Sequence, residues 1–203
     1  MKGNASTRLY GWFYSHACKK QLAKRYGRPT LNAAKKEYRA IIRRAKDIGP
    51  SRLLSAYCMG AWFIALNRST GDSAEENYVL FRDGLQKSRL FAMAMGDADA
   101  YLDEKKLPGR LQWAAESKKR TYENDWVVEV LPGGAVFDLG YDYLECGIWK
   151  LCRDEGCPEL ARYLCRMDFV LAELMGMELA RTTTIAEGGE RCDFRYRCKQ
   201  QSV

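Results

Sequence analysis

The chain has 203 residues, of which 47% are hydrophobic and 29% charged, and its formal net charge is +7. This length can bury a sizeable core, and the composition excludes an intrinsically disordered chain. The opening stretch MKGNASTRLYGWF has no continuous apolar region, and the longest apolar run, over 54–66, is shorter than the roughly 20 residues of a membrane span. We therefore expect a cytoplasmic protein without a secretory signal or a membrane segment.

Helical patterns fill the first 120 residues. Gly27 and the sequence GRPT separate a helix predicted over 5–27 from one over 31–48. Three more helical regions are predicted over 51–68, 74–95 and 97–120. The region over 51–68 is apolar nearly all round and should be central, whereas LPG at 107–109 should interrupt the region over 97–120.

Strand patterns appear only after residue 120. β-branched runs around Pro-Gly-Gly predict a hairpin over 125–139, and helices are predicted over 141–154 and 158–175. The stretches MELARTTTIA and CDFRYR are predicted to form the last two strands. The sequence therefore predicts a helix-rich α+β protein, with a small antiparallel sheet formed largely by two hairpins in its C-terminal half. We expect a single domain over 1–203, mainly helical over 1–120, with the hairpins and two helices over 121–203.

The positive charge is concentrated at the N-terminal end. Residues 1–50 hold 13 Lys or Arg and two acids, a balance of +11, so the remaining residues carry a net charge of −4. Such a segment can attract nucleic acid, an anionic partner or an acidic small molecule, and it can equally be a solvated helix face. No nucleic-acid-binding motif accompanies it, so we do not expect a nucleic-acid partner. The sequence leaves the oligomeric state open, a homodimer included.

The last hairpin places polar side chains on its core face. Its alternation and a six-residue connection over 186–191 predict the cross-strand pairs Ile185–Cys192, Thr183–Phe194 and Arg181–Tyr196. Arg181, Thr183 and Cys192 then point inward, which costs free energy unless each has a partner, while Asp193 points to the other face. Two interpretations follow: a structural ion pair with Cys192 as a space-filling residue, or a functional site.

Two carboxylates on predicted helices raise the same question. Asp168 lies on the apolar stripe of the helix over 158–175, beside Cys165, with Arg181 and Arg166 as candidate partners. Glu145 is predicted on the preceding helix, on the side that faces the core. A carboxylate in such a position is either paired structurally or functional.

The eight cysteines do not form a metal-binding pattern. Six of them fall in the last third of the chain without any CxxC spacing, and His16 is the one histidine. Structural zinc sites need regular sets of such ligands, so we predict no metal and no cofactor.

A C-terminal series of motifs resembles the L-2-amino-thiazoline-4-carboxylic acid hydrolase-like family of bacteria. The series comprises Cys157-Pro158, Cys165, Asp168, Arg181-Thr182, Thr184, Gly188-Gly189 and Cys192-Asp193-Phe194. The segment YLECGIWKLC at 143–152 is also similar to the family's upstream segment. The resemblance implies hydrolytic opening of the thiazoline ring, a cyclic amidine, to give a carbamoyl-cysteine, and hence a small anionic substrate.

Hydrolysis of a C–N bond in such a ring needs a nucleophile, a proton donor and an anchor for the carboxylate. We predict Cys192 as the nucleophile and the most reactive thiol, with acid–base catalysis by Asp168, Glu187 or Asp193. We predict that Arg181 binds the substrate carboxylate as a clamp. The N–H groups of Gly188 and Gly189 are predicted to bind developing negative charge, and the side chains of Thr183 and Tyr196 to contact the substrate.

Two alternatives to a thiol hydrolase remain. The chain could be a non-catalytic α+β domain that binds a small molecule, which an unreactive Cys192 would favour. Several thiols could also bind a metal ion that activates water.

Overall fold

The computed structural model describes residues 3–199. Its α-helices are α1 (Ala5–Arg44), α2 (Leu54–Thr70), α3 (Ala74–Gln86), α4 (Arg89–Met95), α5 (Ala98–Leu102), α6 (Leu107–Ser117), α7 (Gly147–Asp154) and α8 (Ala161–Leu174). Its strands are β1 (Val127–Pro132), β2 (Leu139–Glu145), β3 (Met177–Ala180) and β4 (Cys192–Cys198), and short 3₁₀ helices cover Glu104–Lys106, Pro158–Leu160 and Ile185–Glu187. The fold is therefore helix-rich α+β, as predicted.

Helix α1 consists of two arms that meet at Gly27. This glycine has φ 82° and ψ 176°, a conformation outside the helical region, so the predicted break is confirmed although the hydrogen-bonded helix continues on both sides. The arms pack tightly where Gly11 faces Tyr38, because a Cβ on Gly11 would lie 2.2 Å from the Tyr38 ring. Glycine at this position lets the arms approach closely.

Helix α2 is central, as its apolar sequence predicts. The helix runs through the hydrophobic core, where Tyr57, Trp62 and Phe63 are almost completely buried. The predicted helix over 74–95 is instead divided, because Ser88 caps a new helix by accepting a hydrogen bond from the Phe91 N–H at 3.2 Å. The LPG sequence begins α6 instead of interrupting a longer helix, since proline fits the first helical turn.

The four strands form one antiparallel sheet in the order β1-β2-β4-β3. The first hairpin is confirmed. The helix predicted over 141–154 begins later than predicted, at Gly147, because β2 continues to Glu145. In this central strand Tyr141 and Tyr143 face the core, while Asp142 lies 2.7 Å from Arg195. Glu145 ends the strand and pairs with Lys150, so its predicted place on a helix is wrong.

The pairing of β3 with β4 differs by two residues from the predicted register. Leu179 pairs with Tyr196, and Ala180 with Arg195. A shift of two keeps every side chain on its predicted face, so Cys192 and Tyr196 are buried as expected. Strand β3 ends at Ala180, and the connection to β4 covers residues 181–191 instead of the predicted 186–191, because the following backbone N–H groups bind the Asp193 carboxylate instead of a strand.

Acidic residues from later in the chain neutralise part of the basic segment. Arg25 pairs with Glu76 at 2.9 Å and Lys46 with Glu123 at 2.8 Å. Arg44 also pairs with the carboxylate of Glu155. These contacts attach α1 and the residues just after it to the rest of the fold. Within residues 3–199, no helix combines the length and the apolar character needed to cross a membrane.

Candidate active site

A cavity of about 260 Å³ lies between α2, α8 and the core face of the sheet. Its walls are mainly apolar and aromatic, and they include the side chains of Tyr101, Trp126, Tyr143, Trp149 and Tyr196. The volume is just below the range of about 300–1,000 Å³ that is typical of drug-sized ligands. The cavity therefore fits one small ring compound better than a polymer.

Asp168 is the one acidic residue among the described residues that line this cavity. Its Oδ2 accepts a hydrogen bond from Arg181 Nη1 at 2.7 Å. Burial raises the pKa of Asp168 to about 6, although the positive charge of Arg181 and this hydrogen bond oppose the rise. A carboxyl with such a pKa can both accept and donate a proton near neutral pH.

Arg181 supports Asp168 from outside the cavity. Its side chain is 5% exposed and does not line the cavity wall. Its second terminal nitrogen donates to the Cys165 carbonyl oxygen at 2.8 Å, and its guanidinium lies 4.8 and 4.9 Å from the ring centres of Phe169 and Phe194. Both arms of the guanidinium fork are therefore occupied, and a role as carboxylate clamp would require Arg181 to leave Asp168.

Three thiols line the cavity: those of Cys146, Cys165 and Cys192. Burial raises the pKa of all three, to about 12 for Cys146. Backbone hydrogen bonds oppose this rise at Cys146, and the charge of Arg181 opposes it at Cys165. Cys192 combines both effects, because its Sγ accepts a hydrogen bond from the Ile185 N–H at 3.2 Å and Arg181 also lowers its pKa. Asp168 is close enough to act on the pKa of Cys192 in the opposite direction.

The other predicted acid–base residues lie outside the cavity lining. Asp193 accepts hydrogen bonds from the N–H of Thr182 at 2.9 Å, from its hydroxyl at 2.7 Å, and from the N–H of Thr183 at 2.7 Å. Burial would raise the pKa of Asp193, but these bonds hold it below its usual value. Glu187 is exposed and accepts a hydrogen bond from Thr184 at 2.8 Å. Both carboxylates stabilise the turn between β3 and β4.

The glycine turn shapes this connection but does not line the cavity. Gly188 has φ 89°, a left-handed conformation that favours glycine, and its N–H donates to the Ile185 carbonyl oxygen. The Gly189 N–H donates to the Thr184 carbonyl oxygen, so neither N–H group is available for a developing negative charge. A Cβ on Gly189 would lie 2.0 Å from Thr183 Oγ1, so this position has no room for a side chain.

Sequence reasoning identified three residues of the cavity, Asp168, Cys192 and Tyr196, and missed much of its wall. Tyr143 could have been found, because it alternates with Tyr141 along a strand that we had predicted as a helix. Arg52 and Tyr101 carried no signal, since they come from a turn and a short helix that are distant in sequence from β4.

A second pair of thiols lies at the junction of α7 and α8. The neighbouring Cys152 thiol holds the pKa of Cys157 below its usual value, and the charge of Arg68 adds to this effect. Cys157 is half-buried and is not part of the cavity lining. In the part of the chain that the structure describes, no group of three or more His, Cys, Asp or Glu residues is arranged to hold a metal ion.

Comparison with known proteins identifies one family. The family described as L-2-amino-thiazoline-4-carboxylic acid hydrolase matches residues 51–196, well over half of the chain. No curated protein and no solved structure gives a match. The matched range includes the whole sheet except the end of β4, and it includes every predicted site residue. The chain belongs to the L-2-amino-thiazoline-4-carboxylic acid hydrolase family.

Proposed function

We propose that the protein hydrolyses a small carboxylated cyclic amidine, with 2-amino-thiazoline-4-carboxylate as the first candidate, and that Cys192 is the nucleophile. The observation that carries this proposal is the common cavity of Cys192 and Asp168, in which the carboxyl has a pKa of about 6. Family membership supports the hydrolase class. The small, mainly apolar cavity supports a ring compound as substrate.

The first step requires a base. Burial raises the pKa of the Cys192 thiol, so little thiolate exists before a substrate binds. In the proposed step the Asp168 carboxylate takes the thiol proton while the sulfur attacks the amidine carbon of the ring. Because burial also raises the pKa of Asp168, this carboxylate is a stronger base than an ordinary aspartate. Arg181 holds the carboxylate in position and is a positioning residue in this proposal.

The bond that breaks next is better assigned to sulfur than to nitrogen. The sequence led us to expect cleavage of a C–N bond, but the amidine carbon of a thiazoline is bonded to both a ring nitrogen and a ring sulfur. A thiol, with a pKa of about 8.5, leaves more readily than an amine nitrogen. Protonated Asp168 delivers its proton to the departing ring sulfur, and the substrate stays attached to Cys192 as an isothiourea.

Water then completes the reaction. Asp168, again ionised, takes a proton from a water molecule that attacks the isothiourea carbon, and the bond between this carbon and the Cys192 sulfur breaks. The proton returns to the Cys192 sulfur. The product carries a urea group on the nitrogen of cysteine, so the net reaction consumes one water per ring and regenerates the thiol.

A panel of carboxylated heterocycles tests the proposal. Wild type, Cys192→Ala and the matched cavity-thiol variant Cys146→Ala are assayed by separating the products and testing each product for a free thiol and a free amine. We expect ring opening by wild type and Cys146→Ala, loss of turnover in Cys192→Ala, and a product with a free thiol. Turnover by Cys192→Ala equal to that of wild type would exclude Cys192 as the nucleophile. An S-carbamoyl product with a free amine would show that the C–N bond breaks instead of the C–S bond.

A second candidate is a domain that binds a small molecule without turnover. It is favoured by the N–H groups of Gly188 and Gly189, which are both hydrogen-bonded within the turn and leave no oxyanion site there. Tight binding of a panel member without ring opening by wild type would establish this candidate instead.

A further inference from the structure

Among the residues that the structure describes, none offers an anionic substrate a free positive charge beside Asp168. Asp168 is itself a carboxylate, and the positive charge of Arg181 is already paired with it. A second carboxylate placed beside Asp168 would be repelled and would lose its hydration without compensation. A substrate carboxylate must therefore bind elsewhere along the cavity wall.

Arg52 is the one Lys or Arg among the described residues that line this cavity. It lies in the turn just before α2, is exposed, and has no carboxylate partner among the ion pairs formed by residues 3–199. Its guanidinium carbon lies 5.9 Å from the ring centre of Trp113, on α6. Its Nη2 is also close to α6, 3.7 Å from the position that a Cβ on Gly109 would occupy.

The contacts with Trp113 and Gly109 restrict the position of the Arg52 guanidinium, and they do not occupy its hydrogen-bond donors. Placement over an aromatic ring favours the cation through its interaction with the π electrons and leaves the N–H groups at the edges of the guanidinium unoccupied. Arg52 is close enough to Tyr141 for its charge to lower the pKa of that phenol, against the rise caused by burial. The positive charge is thus directed towards the same side of the sheet as the cavity.

Resting on the function proposed above, we propose that Arg52 binds the carboxylate of the substrate at the mouth of the cavity. The planar guanidinium can donate two parallel hydrogen bonds to a carboxylate. The ring then enters the apolar interior, and its amidine carbon is directed towards Cys192 and Asp168. Repulsion by Asp168 and attraction by Arg52 favour the same orientation, so the two charges select compounds that carry a carboxylate on one side of the ring and an amidine on the other.

Direct binding tests this assignment independently of turnover. Calorimetry is carried out on the Cys192→Ala background with 2-amino-thiazoline-4-carboxylate and with 2-amino-thiazoline, which lacks the carboxylate. We expect Arg52→Gln to weaken binding of the carboxylated ring by about 10- to 100-fold, the usual range for a charge-assisted hydrogen-bonded pair. Binding of the uncarboxylated ring should change less than about twofold, and Arg52→Lys should recover part of the loss.

Arg162→Gln is the matched control, because Arg162 is also exposed and stacked on an aromatic ring, 5.2 Å from the centre of Tyr163, but does not line the cavity. This variant should bind both compounds like the parent. Equal weakening of both compounds by Arg52→Gln, no weakening, the same loss in Arg162→Gln, or no binding by the parent would each overturn the assignment. Arg52-dependent binding without turnover by wild type would retain the anchor and exclude the hydrolase.

Discussion

Two regions of the molecule treat a cysteine in opposite ways. Cys192 lines the cavity, is 4% exposed, and has a pKa raised by burial. Cys157, at the junction of α7 and α8, is more exposed and has a pKa lowered by the neighbouring Cys152 thiol and by the charge of Arg68. The thiol with the lower pKa is therefore outside the cavity, and the thiol beside Asp168 needs a base.

This difference separates general thiol reactivity from a role in catalysis. The thiolate is the reactive form of cysteine, so small alkylating reagents report pKa and exposure. A nucleophile that is deprotonated only when a substrate is bound is protected from such reagents. From the sequence we predict that Cys192 is the most reactive thiol, but its raised pKa in the structure favours slow alkylation. The proposal that Cys192 is the nucleophile does not require fast alkylation.

The largest expected effect distinguishes the two regions by turnover. Cys192→Ala should lower kcat/KM by about 10⁴-fold or more, as removal of an enzyme nucleophile commonly does. Cys157→Ala should leave kcat/KM within about threefold of wild type, because Cys157 does not line the cavity. Steady-state kinetics with circular dichroism as a folding control measures both. A large loss in Cys157→Ala with an intact fold would move the nucleophile to the second region.

The next effect concerns Asp168 and pH. In the proposed mechanism Asp168 is the base, so kcat/KM of wild type should rise with pH through about 6 and then level. Asp168→Asn should lower kcat by about 10²- to 10³-fold and remove this rise. A rise through pH 6 that persists in Asp168→Asn would assign it to another group.

The same pKa predicts a change in stability with a definite sign. The pKa of Asp168 is higher in the folded protein than in the unfolded chain, so its contribution to the free energy of unfolding is fully present below pH 4 or so and is lost as the pH rises through about 6. Thermal unfolding of wild type and Asp168→Asn across this range measures the difference between them. A contribution that instead increases with pH would contradict the raised pKa.

Arg181→Lys should act mainly on stability. Lysine keeps the charge but cannot bind both Asp168 and the Cys165 carbonyl oxygen as the guanidinium fork does. We expect a loss of about 2 kcal/mol in the free energy of unfolding, from one buried charge-assisted hydrogen bond. The fall in kcat should be smaller than the fall expected for Asp168→Asn. Urea denaturation measures the stability. An unchanged stability combined with a raised KM would restore Arg181 as the carboxylate clamp.

The smallest effect is a difference in alkylation rates. With limiting iodoacetamide at neutral pH, Cys157 and the exposed Cys198 should be modified about tenfold faster than Cys192. Activity should persist while these two thiols are modified. Peptide mapping at successive times gives the order, and fastest labelling of Cys192 would support the prediction made from the sequence.

Part of this arrangement could be predicted from local patterns. Alternation along β4 identified the inward face of Cys192 and Tyr196, and helical spacing placed Asp168 on the apolar stripe of its helix. The choice of Arg181 over Arg166 as its partner came only from the structure, in which Arg166 pairs with Glu75. Arg52 could not be found in this way, because its place on the cavity wall depends on how α2 and α6 pack against the sheet. Burial, which sets the pKa of Asp168, is likewise a property of the assembled fold and not of the sequence around it.

The sequence alone also could not distinguish the residues that line the cavity from those that stabilise the turn between β3 and β4. Asp193, Glu187 and the two glycines lie within a few residues of Cys192, and a motif cannot distinguish a residue that contacts substrate from one that shapes a loop. The structure assigns their hydrogen bonds to the turn itself, since Asp193 binds Thr182 and Thr183 while Glu187 binds Thr184. Side-chain direction, which depends on the backbone conformation of this turn, makes the difference.

The central claim is that substrate becomes covalently attached to Cys192, and intact-mass spectrometry tests it most directly. Wild type is mixed with excess 2-amino-thiazoline-4-carboxylate and quenched in acid at successive times during the first turnovers, and the mass of the protein is measured. The account predicts a mass increase equal to that of the intact substrate, located by peptide mapping on Cys192 and absent from Cys192→Ala. The same adduct in Cys192→Ala, or an adduct on Cys146, Cys157 or Cys165 instead, would contradict it.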